Sequence, residues 1–303
     1  MLLPHLADNE DVELRHVATT RSLTAMNAQR RFGFATLSTD AEDVLADDSI
    51  DAVFVVTRHR SHAQFVCRAL EAGKAVFVEK PLALSLEELN GVLEVVSTTG
   101  NDRLMVGFNR RFAPLLVDMR NRFARPMAGA VARYSVNAGP MSNKSWYTDE
   151  RAEGTRFVGE GGHFIDTLSW WLAAQPREVY AISGADNSDL VVSISFDNGS
   201  IASLSYVTNG NSRFPKEIFE ASAAGRSARL DNFRSATVWG GSPRRARRSF
   251  GAVDKGQRSQ LEAFLRAVRT GGRMPIELAS LAATTRATLA VGESQASGRP
   301  EAL

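Results

Sequence analysis

The sequence predicts an α/β chain in two parts: a doubly wound parallel sheet, then an α+β unit built on a large, mostly antiparallel sheet. Three observations carry this. Short apolar runs alternate with helical stretches over residues 1–107, the pattern of parallel strands covered on both faces. From about Gly129 strand signals dominate, and the Asn-Gly pair of "FDNGSI" lies between alternating segments, a tight-hairpin signal. The chain then ends in helical text. The boundary is placed between residues 107 and 108, with 108–303 as the second domain.

In order, "VELRHVAT" alternates apolar and polar residues as a strand does, and "RSLTAMNAQRRFG" reads as a helix closed by Gly33. "LADDSIDAVFVVTRHRSHAQFVCRALEAGK" reads as strand, loop and helix, with Gly73 ending the helix. "AVFVEK" is the next strand, and "SLEELNGVLEVVSTTG" a helix with Ser85 as N-cap and Glu88 three residues on, a capping box. "DRLMVGF" is one more strand. Beyond it, "AVARYSVNAG", "EVYAISG", "DLVVSISFDNGSIASLSYVTNG" and "EIFEASAAGRSARLDN" are strand-like. "GHFIDTLSWWLAA", "SQLEAFLRAVRTGG" and "LASLAATTRATLAVGES" are helical. No repeat or low-complexity linker separates the two parts.

The 303 residues carry a net charge of +2, 44% hydrophobic and 23% charged residues, ordinary values for a soluble two-domain chain. No apolar run approaches the roughly 20 residues that span a bilayer. "MLLPHLADNEDVEL" lacks the basic lead and cleavage site of a signal peptide, so a cytoplasmic location is expected. Cys67 is the single cysteine, which excludes internal disulfides and a cysteine-built metal site. The near-neutral balance argues against nucleic-acid binding. One local exception, "SPRRARRSF" from Ser242 to Phe250, reads either as a solvated loop or as a contact for phosphate or an anionic substrate.

An open parallel sheet binds ligands beyond the carboxyl ends of its strands. Two segments lie at such ends: "VVTRHRSHA", and the Glu79-Lys80-Pro81 that closes "AVFVEKP". If their strands are neighbours, both face one crevice. From the residues alone, Glu79 and Lys80 read equally well as an ion pair capping a strand. His59 and His62 have metal-ligand spacing, but no third ligand lies near them in the sequence.

"VFVEKPLALSLEEL" resembles the Glu-Lys-Pro signature of the glucose-fructose oxidoreductase, inositol dehydrogenase and rhizopine-catabolism (Gfo/Idh/MocA) family. "VVTRHRSHAQFVCRALEAGKAVFVEKP", "VGFNRRFAPL" and "GEGGHFID" follow in the family's order, and the similarity extends to "DKGQRSQLEAF". The last motifs are most similar to a subgroup of polysaccharide and sugar-nucleotide metabolism. In that subgroup the module can follow a fused zinc-dehydrogenase-like domain.

The resemblance implies a Rossmann-like first domain and NAD(P)-dependent hydride transfer on a hydroxyl of a sugar, sugar-nucleotide or cyclitol. It implies Lys80 and His163 as catalytic residues, with Glu160 as a substitute carboxylate. Many members carry an aspartate four residues before that histidine, where this chain has Gly159. Lys80, partly desolvated, would orient the hydroxyl or relay its proton. Glu79 would hold the lysine or a cofactor ribose, and Pro81, often cis in the family, would fix the turn. Thr20, Arg21, Thr57, Arg58 (where the family has proline) and Asn109 complete the expected cofactor contacts. Arg110, Trp146 and Asp166 join Lys80 and His163 on the substrate side, with Trp146 equally credible as a packed aromatic. Asp166 reads equally as a structural partner of the histidine, and Arg111 is expected to be structural.

A dinucleotide-binding unit opens with a strand and a Gly-x-Gly-x-x-Gly turn. "MLLPHLADNEDVELRHVATT" instead resembles the end of the first helix and the second strand. The first strand and phosphate loop are therefore expected to be missing, through a late-assigned start, a broken gene or a fused preceding domain. That expectation carries an unpaired internal sheet edge and weak cofactor binding. The second strand exits into Thr19, Thr20 and Arg21 with no acid, which favours NADP over NAD. The open sheet face is expected to make a homo-oligomer. A non-catalytic sugar-binding or regulatory descendant of the family is the alternative reading.

Overall fold

The computed structural model describes residues 2–123, 127–142, 145–185, 187–240, 245–248 and 251–303. Its first part holds two separate parallel ladders. α1 (Leu3–Ala7) leads to β1 (His16–Ala18), α2 (Ser22–Phe32), β2 (Thr36–Ser38) and α3 (Glu42–Leu45), and β1 pairs with β2. The second ladder comprises β3 (Ala52–Val55), β4 (Ala75–Val78) and β5 (Leu104–Val106), with β4 in the middle. α4 (His62–Glu71) and α5 (Leu86–Thr99) connect them. Every residue of β4 and β5 is buried, which is why these strands read as unbroken apolar runs. At α5 the capping box forms one residue wider than expected. Ser85 Oγ accepts the Glu88 amide at 3.1 Å, while Glu88 Oε2 accepts from Leu84 N at 2.7 Å.

After a 3-10 turn at Arg110–Phe112 come α6 (Pro114–Arg122), β6 (Val131–Asn137), α7 (Glu150–Glu153) and α8 (Arg156–Leu172). The strands β7 (Pro176–Ser183), β8 (Leu190–Phe196), β9 (Ile201–Val207), β10 (Glu217–Ala223), β11 (Arg226–Asp231), β12 (Ser235–Trp239) and β13 (Arg245–Arg248) follow. α9 (Gln257–Thr270), α10 (Leu278–Ser297) and β14 (Glu301–Ala302) close the chain. The nine strands of this sheet run β13-β12-β11-β10-β6-β9-β8-β7-β14, with β6 and β9 parallel and the other neighbours antiparallel. Inward residues alternate with outward ones, as in the buried Leu190, Val192 and Ile194 of β8. α8 lays Phe164, Ile165, Leu168 and Trp171 on the inner face, where the Trp171 and Phe219 rings meet at 4.8 Å.

The two hydrophobic cores do not follow a single cut of the chain. Phe264 of α9 packs against Phe54 and Phe77 of β3 and β4, with ring centroids 5.6 Å away from each. Leu261 and, from α10, Leu281 join the same cluster. Helical text at the end of the sequence thus completes the first core.

One element differs in a way that matters for the site. The sequence predicts a helix starting at "GHFID", but α8 begins at Arg156, capped by Thr155 Oγ1 on Val158 N at 3.2 Å. Gly159, Gly161 and Gly162 lie inside the helix, and His163 is in its interior rather than at its start. The glycines read as a turn because their helix propensity is poor, yet each lets a ring approach the helix backbone. A Cβ would stand 2.6 Å from Phe157 at Gly161 and 2.9 Å from Phe108 at Gly162. Of the arginine-rich segment, Arg247 pairs with Asp118 at 3.1 Å; residues 241–244, 249 and 250 lie outside the described residues. Among the described residues no helix is long and apolar enough to cross a membrane.

Gly256, at φ +88°, sits against the 3-10 turn that links the two parts. A Cβ there would stand 2.5 Å from the Asn109 carbonyl oxygen, the Phe112 carbonyl carbon and the Ala113 nitrogen. All three are backbone atoms with no room to yield. Gly256→Ala is therefore expected to lower the unfolding free energy by about 2–4 kcal/mol, from left-handed strain plus overpacking. Urea denaturation checks this.

Candidate active site

The carboxyl end of β4 is where the site begins. Glu79 N still donates to Val55 O at 2.9 Å, so the β3–β4 ladder persists to the last residue before Lys80. The Lys80-Pro81 peptide is cis. His62, buried at the start of α4, places Nδ1 2.7 Å from Pro81 O and Nε2 3.1 Å from Thr57 O. One imidazole thus ties the turn after β3 to the turn after β4. The two segments share a crevice. Among the described residues no group of three or more His, Cys, Asp or Glu is placed to hold a metal ion. His59 lies with Nδ1 2.9 Å from Glu153 O, its pKa lowered to about 4 chiefly by burial.

Lys80 reaches across to the second part of the chain. Its Nζ donates to Tyr147 Oη at 2.7 Å. Tyr147 stands in the 3-10 turn before α7 and packs on His59 and Trp146, with ring centroids 4.7 and 4.5 Å apart. Arg58 lies over the Trp146 ring at 5.9 Å. Burial lowers the Lys80 pKa below the ordinary lysine value; Glu160 and Glu79 oppose that shift, and Arg110 and Lys216 add to it. Burial likewise raises the Tyr147 phenol, with Glu160 and Glu79 adding to the effect.

α8 supplies the opposite wall. Gly159, His163 and Asp166 fall on one face, spaced as successive turns. His163 is buried and its Nδ1 has no hydrogen-bond partner. Burial drives its pKa well below the usual value, and the charges of Arg110, Lys80, Lys255 and Lys216 push the same way. The imidazole is therefore neutral near pH 7. At Gly159 a Cβ would lie 2.8 Å from both Tyr147 Oη and His59 Cε1. The phenol fills the space that a side chain at that position would take.

Several expected site residues are committed elsewhere. Asp166 is fully buried, and Arg111 Nε and Nη2 hold its two oxygens at 2.9 and 2.5 Å. It partners Arg111, not the histidine, and has no surface for substrate. Glu160 accepts from Tyr206 Oη at 2.9 Å and lies 3.6 Å from Arg156 Nε, so it reaches Lys80 through its field. Asn109 is buried, donating to Lys255 O at 2.9 Å and accepting from Arg110 at 2.8 Å. Both ends of its amide are thus engaged within the protein, and its burial keeps the side chain from the surface. Arg110 binds Glu217 through Nε at 3.3 Å and Nη2 at 3.1 Å. Thr20 and Arg21 stand exposed after β1, and Thr57 and Arg58 exposed after β3.

Sequence reasoning missed Tyr147, although it neighbours Trp146, and it missed Glu217. Glu217 is buried at the start of β10 and receives Arg110, Tyr134 Oη at 2.7 Å and Lys255 Nζ at 2.5 Å. The readable signal was a glutamate in register with the inward Phe219 and Ala221. Burial works against its ionisation, but Arg110 and Lys255 outweigh it and hold the carboxyl at about 2.

This two-part α/β architecture, with a cleft at the carboxyl end of a parallel ladder, recurs in solved oxidoreductase structures. An oxidoreductase domain protein from Kribbella flavida superposes with a TM-score of 0.84 at 21% identity, covering 96% of this chain and 90% of that one. A levoglucosan dehydrogenase in complex with NADH and levoglucosan gives 0.83 at 21% identity, covering 99% and 93%. These likenesses establish the fold.

Sequence comparison goes further. Residues 1–108 match the GFO_IDH_MocA model, described as an oxidoreductase family with an NAD-binding Rossmann fold. A scyllo-inositol 2-dehydrogenase (NAD(+)) of Bacillus subtilis is 38% identical over 143 residues, 47% of this chain and 39% of that protein. An inositol 2-dehydrogenase of Rhizobium meliloti is 30% identical over 232 residues, 77% of this chain and 64% of that protein. The chain thus spans less than two thirds of the length of these curated relatives.

The Glu217 cluster yields a prediction with a definite sign. A carboxyl at about 2 in the fold, against 4.5 ordinarily, contributes stability fully above pH 4.5 and loses it as pH falls through about 2. Glu217→Gln should cost about 3–5 kcal/mol at neutral pH by leaving buried cations unpaired. The gap from the parent protein should narrow as pH falls from about 5 to 2. Urea unfolding across that range measures it.

Proposed function

We propose that this chain is a nicotinamide-dependent oxidoreductase that interconverts a hydroxyl and a ketone on a sugar, sugar-nucleotide or cyclitol. The observation that carries the reading is one pair. The Lys80 amine at the carboxyl end of β4 lies near enough to the His163 imidazole for its charge to act on that ring, and burial shifts both toward their uncharged forms. The inositol dehydrogenases among the relatives supply the substrate class.

The residues at the ladder ends suit a dinucleotide. Thr20, Arg21, Thr57 and Arg58 present exposed hydroxyls and guanidinium groups after β1 and β3, the chemistry that ribose and phosphate need. Glu79, Lys80 and Pro81 line the next strand end. A nicotinamide bound there supplies the hydride acceptor, or the donor in reverse. Lys80 Nζ as free amine takes the carbinol proton, and neutral His163 orients the substrate oxygen by a hydrogen bond. Phe108 and Leu82, buried beside Lys80, keep water from the amine. Trp146, 38% exposed at the rim, offers a stacking surface for a sugar ring.

The proposed division at residues 107 and 108 gives the first part the cofactor and the second the substrate. Exposed Val131, Ile182, Val191 and Ile201 on the outer sheet face support a homo-oligomer formed through that face. Arg21, with no acid beside it at the exit of β1, supports NADP over NAD. Arg21→Asp should then shift the ratio of the NADPH and NADH dissociation constants at least tenfold toward NADH. Titration by fluorescence reads it, and an unchanged ratio removes Arg21 from cofactor choice.

Lys80→Ala tests the reading itself. It should lower kcat about 10²–10⁴-fold with the NADH dissociation constant changed only a few-fold. Full activity in this variant would sink it.

A further inference from the structure

Tyr147 is a polar group in the cleft with no role assigned above. We propose that Tyr147 is a positioning residue for Lys80: its phenol, seated in the space Gly159 leaves open, holds the amine at the cleft without placing a charge beside it. This rests on the reading of Lys80 as the proton-handling amine.

Three independent features point this way. The Lys80 Nζ to Tyr147 Oη contact of 2.7 Å joins the two parts of the chain at the reacting nitrogen. The Tyr147 ring is fixed from two sides, by His59 at 4.7 Å and Trp146 at 4.5 Å, so its hydroxyl has one place to be. On the third side Gly159 is compelled to lack a side chain, since a Cβ would stand 2.8 Å from that hydroxyl. A tyrosine and a glycine far apart in sequence are thus shaped to each other.

The chemistry explains why a phenol suits this place. A hydroxyl accepts from an ammonium and donates to a free amine, so it holds nitrogen in both protonation states of a proton-transfer cycle. A carboxylate at this distance would instead favour the ammonium, raising the lysine pKa by about 1–3 units. The other charges facing Lys80 are Glu160 and Glu79, which favour the ammonium, and Arg110 and Lys216, which oppose it. Glu160, Glu79 and Arg156 act on the phenol, which burial keeps protonated. His59 also feels the Lys80 charge.

The test uses Tyr147→Phe, which keeps the ring, Gly159→Ala, which displaces the hydroxyl, and Tyr147→Glu, which substitutes a charge. Tyr147→Phe and Gly159→Ala should each lower kcat about 10–100-fold, as misplacement of a reacting group does, with the KM for cofactor unchanged. Tyr147→Glu should raise the Lys80 pKa by about 1–3 units, read by NMR titration of lysine-labelled protein with Lys80→Met as the assignment control. In the oxidation direction the acid limb of the pH–rate profile should move to higher pH with it. Wild-type turnover in both Tyr147→Phe and Gly159→Ala, or a Lys80 titration unmoved by Tyr147→Glu, overturns the proposal. If the parent protein turns over no sugar or cyclitol while the titration shifts as expected, the proposed reaction fails and the Tyr147 assignment stands.

Discussion

A lysine amine withdrawn from water at the end of a wholly buried strand is the constraint around which this molecule is arranged. The four residues of β4 before Glu79 are buried, so the chain can emerge only into the cleft. There the Lys80 amine meets a phenol, two carboxylates at longer range and two opposing cations. Burial costs the ammonium form most, and the nearby carboxylates restore only part of that loss. An amine in this balance changes protonation state at lower pH than a lysine in water, which suits the proposed proton transfer from a carbinol.

The second part of the chain serves the same end from the other side. Arg110, Lys255 and Tyr134 converge on buried Glu217, which anchors the 3-10 turn after β5 to the start of β10. Buried ion pairs of this kind add little net stability compared with apolar packing, but breaking one is expensive. The cluster therefore fixes geometry, and its cations also keep His163 uncharged. Behind it, Arg111 and Asp166 pin α8 to the same turn. The imidazole is thus held by a rigid helix between two charge-paired clusters.

Much of this was legible in the residues. The apolar runs "AVFV" and "LMVGF" marked buried parallel strands, and "DNGS" marked a hairpin. Glu79-Lys80-Pro81 was legible as charged residues at the end of a buried strand, while His163 was singled out only through the family resemblance. What stayed hidden depends on contacts distant in sequence. Tyr147 meets Lys80 across 67 positions, and no local pattern announces it. Asp166 looked available because its neighbour His163 was the salient residue, whereas its partner lies in "GFNRRF". The glycines of α8 resembled a turn because propensity ignores the rings packed against them, and α9 gave no sign that its Phe264 completes the first core. β2, a three-residue strand with one apolar side chain, offers no periodicity to read.

The most direct test of the central claim is a crystal structure of the protein grown with NADH and a cyclitol. The account predicts the nicotinamide ring at the carboxyl end of β4, with a substrate hydroxyl about 3–3.5 Å from its reacting carbon and in hydrogen-bond reach of both Lys80 Nζ and the His163 ring. A nicotinamide bound away from Lys80, or a cyclitol oxygen contacting neither the amine nor the imidazole, would contradict it.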